Sequence, residues 1–294
     1  EVGLALRMTE TTRKERPDDL AVLERAGRIE LAAGKPREAA KTFARLGRLS
    51  PPEPGLLQRI AEYQVESGDL EGARGTFQRA TSINQDYLPA QIARLQFDLD
   101  QKRFEEALNR AAMLAETRPG SAIGEILRGD IYTHMERNED AVQAYLRGLK
   151  IQVTGELLIR LYLSKRAAGH QRLPVDRLEE WVQKNPNAEQ VRATLAQAYV
   201  HDGRVPKAIK LYEELRERRP RDPEVLNNLA WLYQEIGDER ALASAEEAYR
   251  LVPENAAILD TLGWLLVEKN TDLQRALPLL RDAHARASRI PEIR

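Results

Sequence analysis

The sequence has no cysteine, few aromatic residues and almost no net charge. Without cysteine there are no disulfide bonds, thiolate zinc sites or cysteine nucleophiles. Lys and Arg total 45 against 46 Asp and Glu, which gives a formal net charge of -1 at pH 7. Because nucleic-acid affinity comes mainly from clustered positive charge that neutralises phosphates, this balance argues against a dedicated nucleic-acid-binding protein. We therefore expect no nucleic-acid partner.

Long hydrophobic runs are missing as well. The most apolar stretch, Ile258 to Val267, is interrupted by Asp260, whereas a membrane-spanning helix needs about 18 or more apolar residues. We expect no direct membrane insertion by this segment. Residue 1 is glutamate, and no basic region followed by an apolar run precedes Met8. A signal peptide or lipid anchor is therefore expected to lie outside these residues.

Motifs that carry catalysis are also absent from the sequence. There is no phosphate-binding glycine loop, no HExxH and no GxSxG. The histidines are scattered, at His134, His170, His201 and His284. Carboxylates are frequent, but no spacing isolates an acid/base pair. We expect no enzyme activity, no cofactor and no metal site.

Two classes of residue recur along the sequence with the same period. Small residues recur at one phase of it, at Ala39, Ala73, Ala107, Ala141, Ala208, Ala241 and Ala276. Prolines recur at another, at Pro17, Pro51, Pro119, Pro186, Pro220 and Pro253. Successive members of each set lie 33 to 35 residues apart, or about twice that where one member is missing. Two residue classes with one period indicate a repeat protein.

The pattern of each repeat predicts a helical hairpin, as the unit from Glu189 to Asp222 shows. Its apolar residues follow helical spacing, at Val191, Leu195, Ala198 and Tyr199. Gly203 suits the left-handed conformation that ends a helix. Pro206 suits the first turn of a second helix, and Pro220 prevents that helix from continuing.

The same unit resembles the tetratricopeptide repeat (TPR) family. The residues that carry the resemblance are Leu195, Ala196, Tyr199, Gly203, Ala208, Tyr212 and Pro220. Other units match similarly, and the resemblance covers nearly the whole chain. It implies an all-α fold, a right-handed superhelical solenoid of antiparallel helix pairs whose first helices line a concave groove.

The period also sets the boundaries. Residues 20–289 are predicted to form eight units in one solenoid, beginning near Leu20, Pro54, Leu88, Ala122, Gly155, Glu189, Pro223 and Ala256. Residues 1–19 are predicted to be the second helix of a truncated preceding repeat plus a linker. Residues 290–294 are predicted to open a further repeat. In the fifth unit Pro174 replaces the usual small residue, so its second helix is expected to start late, over residues 174–184.

The predicted binding surface lies on the first helices of the last two repeats. Trp231 and Trp264 occupy equivalent positions outside the core stripe, one repeat apart. With Asn227, Asn228 and Asp260 they are expected to form a groove wall that binds apolar side chains while its amides bond an extended backbone. The alternative is that both indoles pack against a neighbouring helix and are semi-buried.

The first two repeats contribute a basic element to the same face. It consists of Arg25, Arg28 and Arg59, which we include among the candidate groove residues. Acidic residues are interleaved with them, at Glu24, Glu62 and Glu66, so a solvated charged face is the simpler interpretation. The paired Lys-Asn arrangement by which some TPR co-chaperone domains clamp a terminal carboxylate is not found.

We interpret the chain as a non-catalytic protein-interaction scaffold that binds a peptide segment or partner protein in the groove. Two alternatives remain open. A helical-hairpin RNA reader of the pentatricopeptide kind has a similar period, although the charge balance disfavours it. A passive spacer between other domains is the second.

A narrower resemblance concerns the last two repeats, through Asn227 to Trp231 (NNLAW) and Leu259 to Val267 (LDTLGWLLV). These segments resemble bacterial TPR lipoproteins of exosortase/PEP-CTERM and exopolysaccharide export systems. That resemblance implies a periplasmic or outer-membrane-associated location and a role in organising secretion or export machinery. A cytoplasmic location remains open.

Both ends of the chain look open, so the natural protein is expected to be longer. The final helix would then leave Leu273, Leu277 and Leu280 partly uncovered. We expect an end-to-end contact between copies, such as a homodimer.

Overall fold

The computed structural model describes residues 2–170 and 173–287, which form seventeen α-helices and no β-strand. The helices are α1 (Val2–Glu15), α2 (Leu20–Ala32), α3 (Pro36–Leu49), α4 (Pro54–Glu66), α5 (Leu70–Ile83), α6 (Leu88–Asp100), α7 (Phe104–Thr117), α8 (Ile123–His134), α9 (Asn138–Ile151), α10 (Gly155–Ala167), α11 (Val175–Lys184), α12 (Glu189–His201), α13 (Val205–Arg218), α14 (Pro223–Glu235), α15 (Arg240–Leu251), α16 (Ala256–Glu268) and α17 (Leu273–Ala287). The further repeat predicted at 290–294 lies outside the described residues.

The chain divides into two compact units, residues 1–137 and residues 138–294. In the first unit α2/α3, α4/α5 and α6/α7 are helix pairs, and in the second α10/α11, α12/α13, α14/α15 and α16/α17 are. Apart from α10/α11, turns of three or four residues join the two helices of a pair, and such short connections between packed helices make them antiparallel. The all-α solenoid prediction is confirmed.

The ends of the helices follow from their local sequence. Asp19 caps α2, because its Oδ1 accepts hydrogen bonds from the backbone N–H groups of Ala21 (2.9 Å) and Val22 (3.1 Å). Asp222 and Asn255 cap α14 and α16 in the same way. None of the helices in the described residues is long and apolar enough to cross a membrane.

The turns that follow the first helices repeat one backbone feature. At this position a residue has a left-handed φ between 49° and 83°. In five turns the residue is glycine, as at Gly203 with φ 68°, but Lys102, Glu136 and Asn270 occupy it elsewhere. Because a Cβ atom disfavours this conformation, the lysine and glutamate turns are less favourable than the glycine turns.

Small residues allow the two helices of a pair to approach closely. A Cβ atom on Gly27 of α2 would lie 2.4 Å from Phe43 Cε1 of α3. A Cβ atom on Gly263 of α16 would lie 2.8 Å from Leu280 Cγ of α17. At the corresponding place in other pairs Ala61, Ala196 and Ala230 are fully buried. A larger side chain would separate the helices and cost packing energy.

The fifth pair departs from the regular pattern. Helix α11 has only 10 residues and begins at Val175, directly after Pro174, as the sequence predicts. Trp181 is half-buried, and its Nε1 atom lies 2.9 Å from where a Cβ on Gly155 would be. The indole therefore packs on the start of α10.

Successive pairs in the second unit are joined by a tyrosine, a glutamate and an arginine. The Tyr233 hydroxyl of α14 donates to Glu213 Oε1 of α13 at 2.9 Å. Arg240 of α15 donates to the same oxygen at 2.6 Å, and its guanidinium lies 4.1 Å from the Tyr233 ring centroid. Tyr199, Glu179 and Arg204 repeat the arrangement one pair earlier. The link ties three helices together across the boundary between pairs.

Replacing Lys102 with glycine is expected to stabilise the protein by about 0.5–1 kcal/mol. Glycine adopts the left-handed conformation without steric strain, and the strain energy removed exceeds the extra backbone entropy that glycine loses on folding. The reciprocal variant Gly203→Lys should lose a similar amount. Urea unfolding followed by circular dichroism measures both. Equal unfolding midpoints for the two variants would contradict this account of the turns.

Replacing Tyr233 with phenylalanine is expected to lower the free energy of unfolding by about 1–2 kcal/mol at neutral pH, because the hydrogen bond to a carboxylate is lost. Burial, and then the hydrogen bond to Glu213, raise the pKa of Tyr233 to about 12. Between pH 10 and 12 the unfolded chain loses the phenol proton and the folded chain keeps it, so the wild-type advantage should shrink as pH rises. Tyr249→Phe, whose hydroxyl makes no hydrogen bond within the described residues, is the control.

Candidate functional site

The first helices of the second unit form a grooved face. One cavity of about 310 Å³ is lined by α10, α12 and α14, through residues that include Ile159, Ala193 and Asn228. A second, of about 330 Å³, is lined by the same three helices and includes Gln197, Asn228 and Trp231. Since Asn228 lines both, the cavities adjoin. We call this surface, together with the matching face of α16, the α10–α16 groove.

The ninth position of α10, α12, α14 and α16 carries the largest exposed apolar side chains of the α10–α16 groove. The ninth residue of each helix is Leu163, Gln197, Trp231 or Trp264. Leu163 is 44% exposed, Trp231 44% and Trp264 59%. An exposed leucine and two exposed indoles at one position of a repeat form an apolar ladder, which is interrupted only by the amide of Gln197.

Trp231 and Trp264 come from neighbouring helices. Helix α14 packs against α16 within the second unit, and Asp222 and Asn255 fix the start of each helix. Both indoles lie outside the buried core. The two side chains are therefore available to another molecule without unfolding, while their role in binding stays a prediction.

The polar residues predicted around the tryptophans differ in their accessibility. Asn228 lines both cavities, and Asp260 is exposed on α16 one turn before Trp264. Asn227 is half-buried, and its Oδ1 atom is buried and accepts no hydrogen bond within the described residues. Asn228 is thus accessible from the cavities, whereas the Asn227 Oδ1 atom is not.

Tyr212 forms the floor between the two cavities. It is only 2% exposed and lines both of them. Burial, and then the charge of Glu224, raise the pKa of its hydroxyl far above the usual value. The hydroxyl therefore stays protonated well into the alkaline range and can act as a hydrogen-bond donor.

Charge is unevenly distributed along the α10–α16 groove. Arg166 and His201 line the cavity beside Trp231, at the side formed by α10 and α12. On α14 and α16 the exposed charged residues near the tryptophans are acidic: Glu224, Glu235, Asp260 and Glu268. Residues three, four or seven apart share a helix face, so these carboxylates flank Trp231 and Trp264.

The arginines predicted to join the groove lie in the other unit. Arg25 and Arg28 are on α2 and Arg59 is on α4, and all three are exposed. Arg59 Nε lies 3.4 Å from Glu24 Oε1, which also accepts a hydrogen bond from the Tyr63 hydroxyl at 3.2 Å. This ion pair agrees with a solvated charged face on the first unit.

Sequence reasoning missed several groove residues. Leu163 and Gln197 occupy the same repeat position as the tryptophans, so the period itself was a sufficient signal for them. Tyr212 is one of the residues that carry the TPR resemblance, and nothing in its spacing indicates that it also lines a cavity. Within the described residues, no group of three or more His, Asp or Glu side chains is arranged to hold a metal ion.

Comparisons with known proteins place the chain in a family. A tetratricopeptide repeat-like domain model matches residues 56–165, and a tetratricopeptide repeat model matches residues 175–233. No curated protein matches the sequence. The two matched regions together cover more than half of the chain.

Solved structures agree with this assignment at the level of fold. A tetratricopeptide repeat protein from Parabacteroides merdae is 18% identical with a TM-score of 0.56, covering 79% of this chain and 92% of that one. The Cut9-Hcn1 hetero-tetramer of the APC/C contains a chain that is 14% identical with a TM-score of 0.52, covering 95% of this chain and 52% of that one. The protein belongs to the tetratricopeptide repeat family.

Proposed function

We propose that the protein is a non-catalytic scaffold whose α10–α16 groove binds a peptide segment or the surface of a partner protein. The observation that carries this proposal is the pair of exposed tryptophans at equivalent positions of two packed helices, of which Trp231 lines one of the two adjoining cavities. Proteins of this repeat family serve as protein-interaction scaffolds.

The physical basis is the free energy of burying aromatic surface. Isolated exposed apolar residues are common on soluble proteins, but contiguous exposed apolar side chains typically mark an interaction surface. Tryptophan is the residue type most enriched among the few side chains that dominate binding energy. Asn228 and Tyr212 add hydrogen-bonding groups that orient a ligand within the cavities.

Protein is favoured over RNA as the partner. The carboxylates flanking the indoles on α14 and α16 oppose the approach of phosphates. A passive spacer would not require exposed indoles in register. The spacer alternative predicts that the tryptophans are dispensable for partner capture. The RNA alternative predicts salt-dependent binding to single-stranded RNA, which this proposal does not.

A narrower role rests on the resemblance of the last two repeats to TPR lipoproteins of exosortase/PEP-CTERM and exopolysaccharide export systems. We propose that the scaffold organises bacterial envelope protein-sorting or export machinery. The segments that support this are Asn227 to Trp231 and Leu259 to Val267, which also contain the groove tryptophans. Partners found at the envelope would support this role, and exclusively cytosolic partners would contradict it.

We also propose that α17 mediates contact between two copies of the chain. Leu273 and Leu277 are about half exposed on its outer face, and Leu280 is partly buried against Gly263 of α16. An end-to-end contact would cover the exposed leucines.

Replacing Trp231 and Trp264 together with alanine is expected to reduce partner capture by at least about tenfold, since each tryptophan in a binding centre contributes 2 kcal/mol or more. Affinity capture from the native cell, followed by quantitative mass spectrometry, compares the variant with wild type. The control is Ile236→Ala with Val252→Ala, which removes two exposed apolar residues that line neither cavity.

Circular dichroism and thermal unfolding should be unchanged in the tryptophan variant, because neither indole belongs to the core. Equal capture by wild type and the tryptophan variant would contradict a groove-binding role. Equal losses in the tryptophan and control variants would mean that general surface hydrophobicity, and not the groove, retains the partners.

Replacing Leu273 and Leu277 with lysine is expected to convert dimers to monomers without loss of helix content, because both side chains are exposed in the single chain. Sedimentation velocity over a range of protein concentrations measures the change. A wild-type chain that stays monomeric at the highest concentration would remove the basis for the contact.

A further inference from the structure

The two groove tryptophans are surrounded by carboxylates. Glu224 and Glu235 lie two turns before and one turn after Trp231 on α14. Asp260 and Glu268 lie one turn before and one turn after Trp264 on α16. Because these spacings return to one face of a helix, each indole lies on a face that carries carboxylates on both sides.

These carboxylates are not used by the fold. All four are exposed, and none of them forms an ion pair with another part of the chain that the structure describes. Several other acidic side chains of the second unit are paired, as Glu213 is with Arg240 and Glu246 with Arg275. The free negative charge of the second unit's groove is therefore concentrated beside the indoles.

An indole face and a carboxylate attract the same kind of group. The negative π-face of tryptophan binds guanidinium and ammonium groups, and tryptophan is the best of the aromatic side chains at doing so. Carboxylates hold the same cations by charge-assisted hydrogen bonds, most strongly for arginine. Alternating indoles and carboxylates therefore match a row of cationic side chains and repel acidic ones.

We propose that the α14–α16 part of the groove binds a segment of a partner protein in which arginine or lysine side chains alternate with apolar ones. This inference rests on the proposed scaffold function and specifies its ligand. The cationic groups lie over Trp231 and Trp264 between the flanking carboxylates, and the apolar side chains enter the cavities beside Asn228.

The charge distribution also orients the segment. Arg166 lies at the α10 side of the groove, where its guanidinium would repel a cationic side chain. Leu163 and Ile159 lie on that side as well. The basic part of the ligand therefore lies on α14 and α16, and its neutral or acidic part lies toward α10.

The test uses three pools of labelled peptides of equal length. Each pool combines leucine in random order with one polar residue, which is arginine in the first pool, glutamine in the second and glutamate in the third. Fluorescence anisotropy gives the dissociation constant of each pool for the full chain at low and high salt. The signals of the three indole N–H groups in ¹H–¹⁵N spectra locate binding, because Trp181 lies on α11 and serves as an internal reference.

The arginine pool is expected to bind at least about tenfold more tightly than the glutamine pool. The glutamate pool is expected to bind most weakly. Added salt should weaken the arginine pool selectively, and the indole signals of Trp231 and Trp264 should shift while that of Trp181 stays in place. These results together would support the proposal.

Two matched charge variants complete the test. The quadruple variant Glu224→Gln, Glu235→Gln, Asp260→Asn and Glu268→Gln should lose the preference for arginine. The control quadruple Glu105→Gln, Glu116→Gln, Glu217→Gln and Glu239→Gln removes the same charge from exposed positions outside the proposed site and should keep it. If both variants lost the preference for arginine equally, the preference would come from the net charge of the protein, and the proposal would be overturned.

The failures of the two proposals are distinguishable. Equal binding of the glutamine and arginine pools, with shifts at Trp231 and Trp264, would overturn the cationic preference and leave the peptide-binding groove in place. Binding of the arginine pool without shifts at either indole would overturn the proposed site. If no pool binds, the cationic ligand is rejected, and the tryptophan-dependent capture experiment decides the scaffold function separately.

Discussion

The close approach of paired helices is the constraint on which the rest of the structure depends. Phe43 fills the space that a side chain on Gly27 would occupy, and buried alanines keep the same approach open in later pairs. Two helices in such contact bury only one apolar stripe on the surface of each helix. The remaining apolar surface must be covered by the next pair, so the pairs stack and equivalent residues recur at equivalent places. One face of each first helix is then left for other uses.

The sequence was sufficient for the parts of the fold that repeat. Small residues, turn glycines and prolines share the period, so the helix pairs and the late start of α11 after Pro174 were predictable. The position of Trp231 and Trp264 outside the core follows from the same register. The left-handed turn at Lys102 is predictable only from this register, because it lies one period after Gly68 while lysine itself has no local preference for that conformation.

The candidate site was less predictable than the fold. The sequence identifies which side chains share a face, but a cavity depends on how far three helices are separated. Tyr212 belongs to the core of α13 and also lines two cavities. Similarly, Arg59 looks available for binding in the sequence, and only the structure pairs it with Glu24 of the preceding helix pair.

The central claim is that the ninth residue of each first helix in the second unit faces a surface open to other molecules. Because the chain has no cysteine, single cysteines placed at Leu163, Gln197 and Trp264 report this directly through their rate of reaction with a bulky maleimide. All three are expected to react rapidly in the folded protein, while a cysteine at the buried Leu229 should react only on unfolding. Protection of the three groove positions to the same degree as Leu229 would contradict the account.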